Sequence, residues 1–404
     1  MSLNEMGLVA LSVPTGMLFY AYVGYPLLLW ILSLARPRPT RETASGEWPT
    51  VSVSLVAYNE EDAIEGALDA LMRVDYPRDR LQVLVTSDAS EDRTDEVVRG
   101  YGDRGVELLR LETRGGKTAA ENAAAEHLRG DIIISTDSSI RILPQSIKPL
   151  VAALADSGVG VSSGRDISVG PEGTEAGLGE TGYVGYEMWV RSLESRLGSI
   201  IGASGCFYAT RRELFGIPVP DTLSRDFAAV LKARRAGFRS VHVSEAVCTV
   251  PRTGSPAVEY RRKVRTMARG LGTLWHYRSL QNPFRYGGFA FALISHKLCR
   301  WLVPPLLPLG FFGVVLLALG VPGARVILGV GVVGLVLGGM GMRWPASRGV
   351  PPRSLAVLGF ALSANAAGIA AWAKVFRDGG GTAIWEPTRR DPIQEPAEDP
   401  ALRL

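Results

Sequence analysis

Two carboxylates and one glycine turn stand where they could gather around a charged ligand. Asp88 follows the apolar run Leu81–Thr86 and opens the series Ala89-Ser90-Glu91-Asp92-Arg93-Thr94. A carboxylate at a strand end can accept hydrogen bonds from a base or a ribose. The same Asp88, Ser90 and Asp92 can also simply turn the chain and cap the next helix. Arg114-Gly115-Gly116-Lys117 precedes a helical pattern. Exposed amides, the helix dipole and one lysine together suit a diphosphate. Asp137 comes at the end of the apolar stretch DIIIS (Asp131–Ser135) and is followed by Ser138 and Ser139. A carboxylate in that place can hold Mg²⁺ or Mn²⁺ against a diphosphate, or it can cap a helix.

The elements that must position these residues alternate. The residues Val51–Ala57 predict a strand, and Asn59 predicts a cap for a helix over 60–71 with two acids in its first turn. Strands are predicted over 81–86, 106–111, 131–135 and 158–163, with helices over 92–101, over 118–129 and after Pro144. Strands alternating with helices imply an α/β fold, a mostly parallel sheet with helices on both faces. Ligands of such sheets bind beyond the carboxyl ends of the strands. Ala57-Tyr58-Asn59-Glu60, Ser87-Asp88 and Thr136-Asp137 all fall on that one edge.

Charged residues make up 21% and apolar residues 47% of the chain, averages that conceal segregation. Residues 7–34 are almost uncharged, long enough to span a bilayer, and followed at once by Arg36, Arg38 and Arg41. Basic residues at the end of a span mark the cytoplasmic side. Further spans are predicted over 302–319, 325–342 and 355–376, the middle one rich in glycine and suited to close helix packing. Before them, residues 257–279 read as a basic amphipathic helix lying along the membrane surface, with Tyr260, Val264, Met267, Leu271 and Trp275 on one face. Residues 284–301 read as a second. The net charge of +4 suits an anionic leaflet. It is too small and too scattered for nucleic acid. Cys206, Cys248 and Cys299 show no metal-like spacing and no pairing pattern, and read as small buried residues.

The runs VSVSLVAYNEE, SDASEDRT, RGGKTAAENAA and STDSS resemble the membrane-bound family 2 glycosyltransferases of GT-A fold, the group of hyaluronan, chitin, cellulose and poly-N-acetylglucosamine synthases. GLGETGYVGYE, ESRLGSIIGASGCFYATRRELF, SRDFAAVLKARRAGFRSVHVSEA, EYRRKVRTMARG, SHKLCRW and WEPTRR agree in order, so the resemblance covers nearly the whole chain. It implies that Ala57, Tyr58 and Glu60 line the base and ribose of a nucleotide-sugar donor, that Asp88 contacts the base, and that Lys117 approaches the diphosphate. It implies that Asp137, with Ser139, holds Mg²⁺ or Mn²⁺, and that Asp226 is the general base on the acceptor hydroxyl. Arg262 and Arg265 match the basic pair that binds the diphosphate. Gly202, Ser204 and Gly205 of the GASG turn, with Tyr186, Glu187 and Trp189, match the acceptor side. Trp385, Thr388 and Arg389 match a gating loop over the donor.

The sequence departs from this pattern at three positions. Ser139 stands where a second metal-motif Asp is usual, which implies a smaller ligand set. Arg225 stands where an Asp often precedes the base. Thr266 replaces the Trp that closes the RxxRW-type motif, which favours addition of one sugar over processive polymerisation. The resemblance implies an inverting transferase using a nucleotide-sugar, most readily a UDP-sugar, and a lipid-linked or growing glycan acceptor at the cytoplasmic membrane face. The alternative from a different class is an inactive scaffold or export partner on the same fold. The expected organisation is an N-terminal span (1–40), a cytoplasmic GT-A domain (41–256), interfacial helices (257–301), C-terminal spans (302–378) and a gating segment with an acidic tail (379–404). One crossing followed by three puts Trp385–Arg390 on the outer side, whereas a gating loop belongs inside. Either one apolar stretch is interfacial, or 284–319 holds an extra crossing, or the gating assignment fails.

Overall fold

The computed structural model describes residues 1–36, 47–169, 178–251, 256–345, 348–349 and 351–378. The chain divides into two compact units. One is the α/β unit, with residues 36–176 and 184–254; the other holds residues 1–35, 177–183 and 255–381.

In the α/β unit the strands are β1 (Val51–Ala57), β2 (Leu81–Ser87), β3 (Val106–Arg110), β4 (Ile132–Asp137), β5 (Arg141–Ile142), β6 (Val159–Val169), β7 (Phe207–Arg211) and β8 (Arg239–Pro251). They form one sheet in the order β3-β2-β1-β4-β7-β6-β8-β5. Strands β1 to β4 are mutually parallel where they pair, and β6 is parallel to β8. Antiparallel pairing is confined to β7 and β5. The α/β class expected from the sequence is the one observed. The central strands are buried on both faces, where small polar residues such as Ser52 and Ser54 are buried among the apolar ones. Val53, Leu55, Val83, Val85 and Ile134 pack on one side with Ile64, Leu68 and Leu71. Leu84 and Ile133 pack on the other with Ala124, Leu128 and Phe215.

The chain moves outward from β1 to β2 to β3, then returns to place β4 on the other side of β1. That reversal is a topological switch point, where a crevice opens beyond the strand ends. Register aligns its rim: Ala57 pairs with Ser87, and Val56 with Asp137.

The helices differ from expectation near this rim. The one predicted from residue 60 begins at Ile64. Asn59 adopts a left-handed φ of 52° and caps nothing. Its side-chain oxygen instead accepts from the Glu91 amide at 2.8 Å, while the amides of Glu60 and Glu61 donate to Thr94 and Asp92. Loop 58–63 is thereby stitched to loop 89–94, and local capping loses to these tertiary bonds. The helix expected over 118–129 runs Lys117–Ala124.

The second unit holds four helices long and apolar enough to cross a membrane: Leu3–Leu34, Gly288–Gly320, Pro322–Met342 and Arg353–Asp378. Residues 284–301, expected as a separate surface helix, instead run from Gly288 without a break into the second of these, through a π-helical turn at Ile294–Leu298. Glycines set the spacing. A Cβ on Gly313 would lie 2.7 Å from the Leu11 amide nitrogen, and one on Gly341 would lie 2.0 Å from the Leu355 carbonyl. Small residues at such crossings let helix backbones approach in lipid. Val326, Val330, Val333 and Val336 face outward, exposed. The basic helix Pro256–His276 lies against Arg353–Asp378, with the Lys263 ammonium 4.0 Å from the ring centre of Phe360.

Gly130 closes the turn that feeds β4. Its amide donates to Ser52 Oγ at 2.7 Å, and an added Cβ would meet the Ser52 nitrogen at 2.4 Å. Backbone cannot yield there as a side chain would. Gly130→Ala is expected to cost about 1–3 kcal/mol, read as a lowered unfolding midpoint of the detergent-solubilised chain. An unchanged midpoint would contradict this packing.

Candidate active site

Asp88 continues from β2 and is fully buried. Its two carboxylate oxygens accept from the amides of Gly115 (2.8 Å) and Gly116 (2.7 Å). Gly116 has a φ of 86°, a conformation glycine adopts without strain. These amides, read from the sequence as open to a diphosphate, are therefore taken by Asp88. The physical reason is simple: a buried carboxylate needs donors, and the turn supplies two. Next to this turn the Arg114 guanidinium lies 3.9 Å from the ring centre of Tyr58, a cation–π stack. Tyr58 and Arg114 so stack beyond the ends of β1 and β2, beside the turn that buried Asp88 holds. Ala57 is buried at the end of β1, and Glu60 is partly exposed in the loop beyond.

Lys117, the first residue of its helix, turns its ammonium to the Asp137 carboxylate, with which it is ion-paired, and to the Gly205 carbonyl at 3.3 Å. Burial opposes the charge on Lys117. The Asp137 carboxylate, followed by Glu121, outweighs that effect and holds the lysine well above its ordinary range, so it stays protonated. Gly205 is exposed, and a Cβ built on it would lie 3.6 Å from Asp226 Oδ2. Asp226 stands in the first turn of the helix Arg225–Arg235, and its Oδ1 accepts from Ser224 Oγ at 2.5 Å. Lys117, Asp137, Gly205 and Asp226 are thus contiguous. Ser139 is buried two residues beyond Asp137.

Below them lies a pair that sequence reasoning missed. Glu121 and Arg225 are both buried, with Arg225 Nε 3.5 Å from Glu121 Oε2. Arg225 also donates to Asn122 Oδ1 and, at 2.9 Å, to the Phe215 carbonyl. Burial pushes the Glu121 carboxyl up, against Lys117 and Arg225, which draw it down. Arg225 is thus committed to the interior. The available signal was an acid four residues after Lys117, on the same helical face.

The acceptor-side candidates divide. Gly202 is buried. Ser204 is fully buried and occupied internally: its hydroxyl donates to Asp166 Oδ1 at 2.6 Å and accepts from the Phe207 amide at 3.1 Å. These bonds hold the turn from within. Gly205 alone of this turn is exposed. On the helix Leu178–Leu197, Trp189 is exposed and its ring lies 6.0 Å from Tyr186, while Glu187 is buried 3.6 Å from Arg191. Arg262 and Arg265 lie on Pro256–His276 in the other unit, where Arg262 is paired with Glu259 at 2.7 Å. Trp385, Thr388 and Arg389 lie outside the described residues.

Residues 52–216 match the protein family described as glycosyl transferase family 2. These residues are a family 2 glycosyltransferase domain. An N-acetylglucosaminyltransferase of Mesorhizobium japonicum is 28% identical over 54% of this chain and 56% of its own length. A beta-monoglucosyldiacylglycerol synthase of Nostoc sp. is 26% identical over 44% of this chain and 39% of its own. The chain spans about half the length of these curated relatives or less. Among solved structures, the mannosyltransferase PcManGT from Pyrobaculum calidifontis, in complex with GDP-Man and Mn²⁺, aligns over 93% of this chain and 99% of its own, with a TM-score of 0.70 and 23% identity. That likeness shows the fold, GT-A.

Farther along the Arg225–Arg235 helix, buried Lys232 donates to the carbonyls of Leu214 (2.8 Å) and Ile217 (2.7 Å). Burial, and then Arg225, push it from its ordinary value down to about 7. The charged form is disfavoured on folding, so the associated stability is complete above the unfolded pKa and is lost as pH falls through about 7. Between about pH 7 and pH 10 the parent is therefore expected to gain stability relative to Lys232→Met. Chemical unfolding at a series of pH values checks this, and a difference that stays flat across that window would contradict it.

Proposed function

We propose that the protein is an inverting glycosyltransferase that moves a sugar from a nucleotide-sugar to a lipid-linked or glycan acceptor at the cytoplasmic face of a membrane. The observation that carries this reading is the contiguity of Asp226, Gly205, Lys117 and Asp137 at the switch point of the sheet. Asp226 in the first helical turn takes the proton of the acceptor hydroxyl as that oxygen attacks the anomeric carbon. A single base of this kind fits in-line displacement with inversion. Lys117, kept protonated, offers positive charge to the leaving diphosphate. Tyr58 and Arg114 form a flat cationic wall suited to a nucleobase.

The relatives' names support sugar transfer, with N-acetylglucosamine in one and a glucosyl lipid in the other. PcManGT carries GDP-Man, so guanine and uracil donors are both to be tried. Asp137 and Ser139 offer a hard, oxygen-only donor set of few ligands, which fits Mg²⁺ or Mn²⁺ completed by water and diphosphate. Such an ion would supply charge stabilisation to the departing diphosphate. The roles of Arg262, Arg265, Thr388 and Arg389 at the donor rest on the family resemblance alone. Arg36, Arg38 and Arg41 after the first apolar helix favour the cytoplasmic side for the α/β unit. Were the three apolar helices that follow the α/β unit all to cross, Thr388 and Arg389 would emerge on the side opposite to it, so the gating role requires one of those three to lie in the membrane plane. Ser139 and Arg225, the departures at the metal motif and before the base, are what an inactive scaffold would be argued from; with Arg225 turned to Glu121, the second gives that alternative no support.

The purified chain, given a panel of UDP-sugars and GDP-mannose with Mg²⁺ or Mn²⁺, is expected to release nucleoside diphosphate from one of them. Asp226→Asn should lower that rate by about 10²–10⁴-fold while donor binding persists. Equal rates in mutant and parent would remove the catalytic assignment.

A further inference from the structure

Cys206 and Cys248 are far apart in sequence and carry no spacing signal, yet the sheet brings them together. Asp166 on β6 pairs in register with Cys248 on β8, so both side chains leave the same face. Cys206 directly precedes β7, the other neighbour of β6. A carboxylate oxygen of Asp166 and the two sulfurs all lie within 4.8 Å of one another, and Asp166 Oδ1 is 3.5 Å from Cys248 Sγ. Both cysteines are buried, while Asp166 is partly exposed and gives the cluster access from outside.

The spacing fits ligands of one ion better than a disulfide. Where they pair with β6, β7 and β8 are two strand spacings apart, about 9–10 Å, farther than the Cα separation of about 7 Å that a disulfide tolerates, while the two sulfurs and the Asp166 oxygen reach one common point. A tetrahedral ion with ordinary metal–sulfur and metal–oxygen bonds sets sulfur and oxygen about 3.6 Å apart. We propose that Asp166, Cys206 and Cys248 form a binding site for one thiophilic divalent cation of the Zn²⁺ class. On binding, each thiol releases its proton to solvent and ligates as thiolate, and Asp166 ligates through one oxygen. Ser204 Oγ, 2.6 Å from Asp166 and 3.6 Å from Cys206 Sγ, stands beside the fourth position. Thiolate ligands separate this site by chemistry from the all-oxygen position at Asp137. Because Cys206 follows Gly205, the ion clamps to β6 and β8 the turn whose carbonyl receives Lys117.

The test uses the full-length chain in detergent, stripped with a chelator, kept reduced by a phosphine and titrated with Cd²⁺ in excess Mg²⁺. The expected result is a single Cd²⁺ per chain with thiolate-to-cadmium charge-transfer absorption, kept in Cys299→Ser and lost in Cys206→Ser and in Cys248→Ser. Zn²⁺ should displace the Cd²⁺ and raise the unfolding midpoint. Should a variant fail to fold, the parent still decides: bound Cd²⁺ must slow alkylation of Cys206 and Cys248 relative to Cys299, read by mass spectrometry. Absence of the absorption band, or alkylation rates unchanged by Cd²⁺, would mean a thiol–carboxylate hydrogen-bond cluster and overturn the proposal.

Discussion

The Lys117 ammonium sits between the Asp137 carboxylate and the Gly205 carbonyl, and the rest of the candidate site is organised around keeping it there. A partly buried cation needs a close counter-charge, since desolvation alone would drive it neutral. Asp137 supplies that charge from the end of β4, and Glu121 adds to it from one turn along the helix that Lys117 begins. Glu121 in turn faces Arg225, next in sequence to Asp226. Three segments distant in sequence are so held by one alternating series of charges. A buried ion pair contributes modestly in net, but leaving either partner alone costs about 3–5 kcal/mol. The series therefore fixes geometry more than it adds stability, and what it fixes is the place of Asp226 against the exposed Gly205.

Much of this was legible in the sequence because strand periodicity is local. Val51–Ala57 and Ile132–Asp137 announce themselves as apolar runs, and the rule that ligands gather at carboxyl ends singled out Asp88 and Asp137. What could not be read was the direction in which polar groups spend their hydrogen bonds. The amides of Gly115 and Gly116 turn inward to Asp88, and Asn59 bonds to the Glu91 amide instead of capping. Ser204 serves its own turn. Each of these is a choice among partners that only the assembled sheet brings within reach. The same holds for Arg225, whose role changed once Glu121 lay beside it, and for Cys206 and Cys248, joined through β6.

The helical unit follows a different rule. Its apolar helices expose valine and phenylalanine outward and meet where glycine removes the side chain, as at Gly7 with Gly313 and at Gly341 with Gly359. Between helices in lipid there is little hydrophobic drive, so close backbone contact must supply the attraction. The glycine-rich stretch 329–339 foretold this only in part: Gly338 packs against Leu358 and Leu362, whereas Gly329, Gly331, Gly334 and Gly339 have open space beside them. The continuity of Gly288–Gly320 was hidden by the polar His296 and Lys297, which a π-helical turn accommodates within the helix.

Photo-labelling tests the central claim most directly, since it asks where a nucleotide sits without assuming what is transferred. An azido-uridine or azido-guanosine diphosphate sugar, cross-linked to the intact protein and mapped by mass spectrometry, should mark the segments at 57–60, 88–94 and 110–117, with competition by the unmodified nucleotide. Labelling confined to the apolar helices, or competed by no nucleotide, would show that the carboxyl ends of β1, β2 and β3 do not form the donor site.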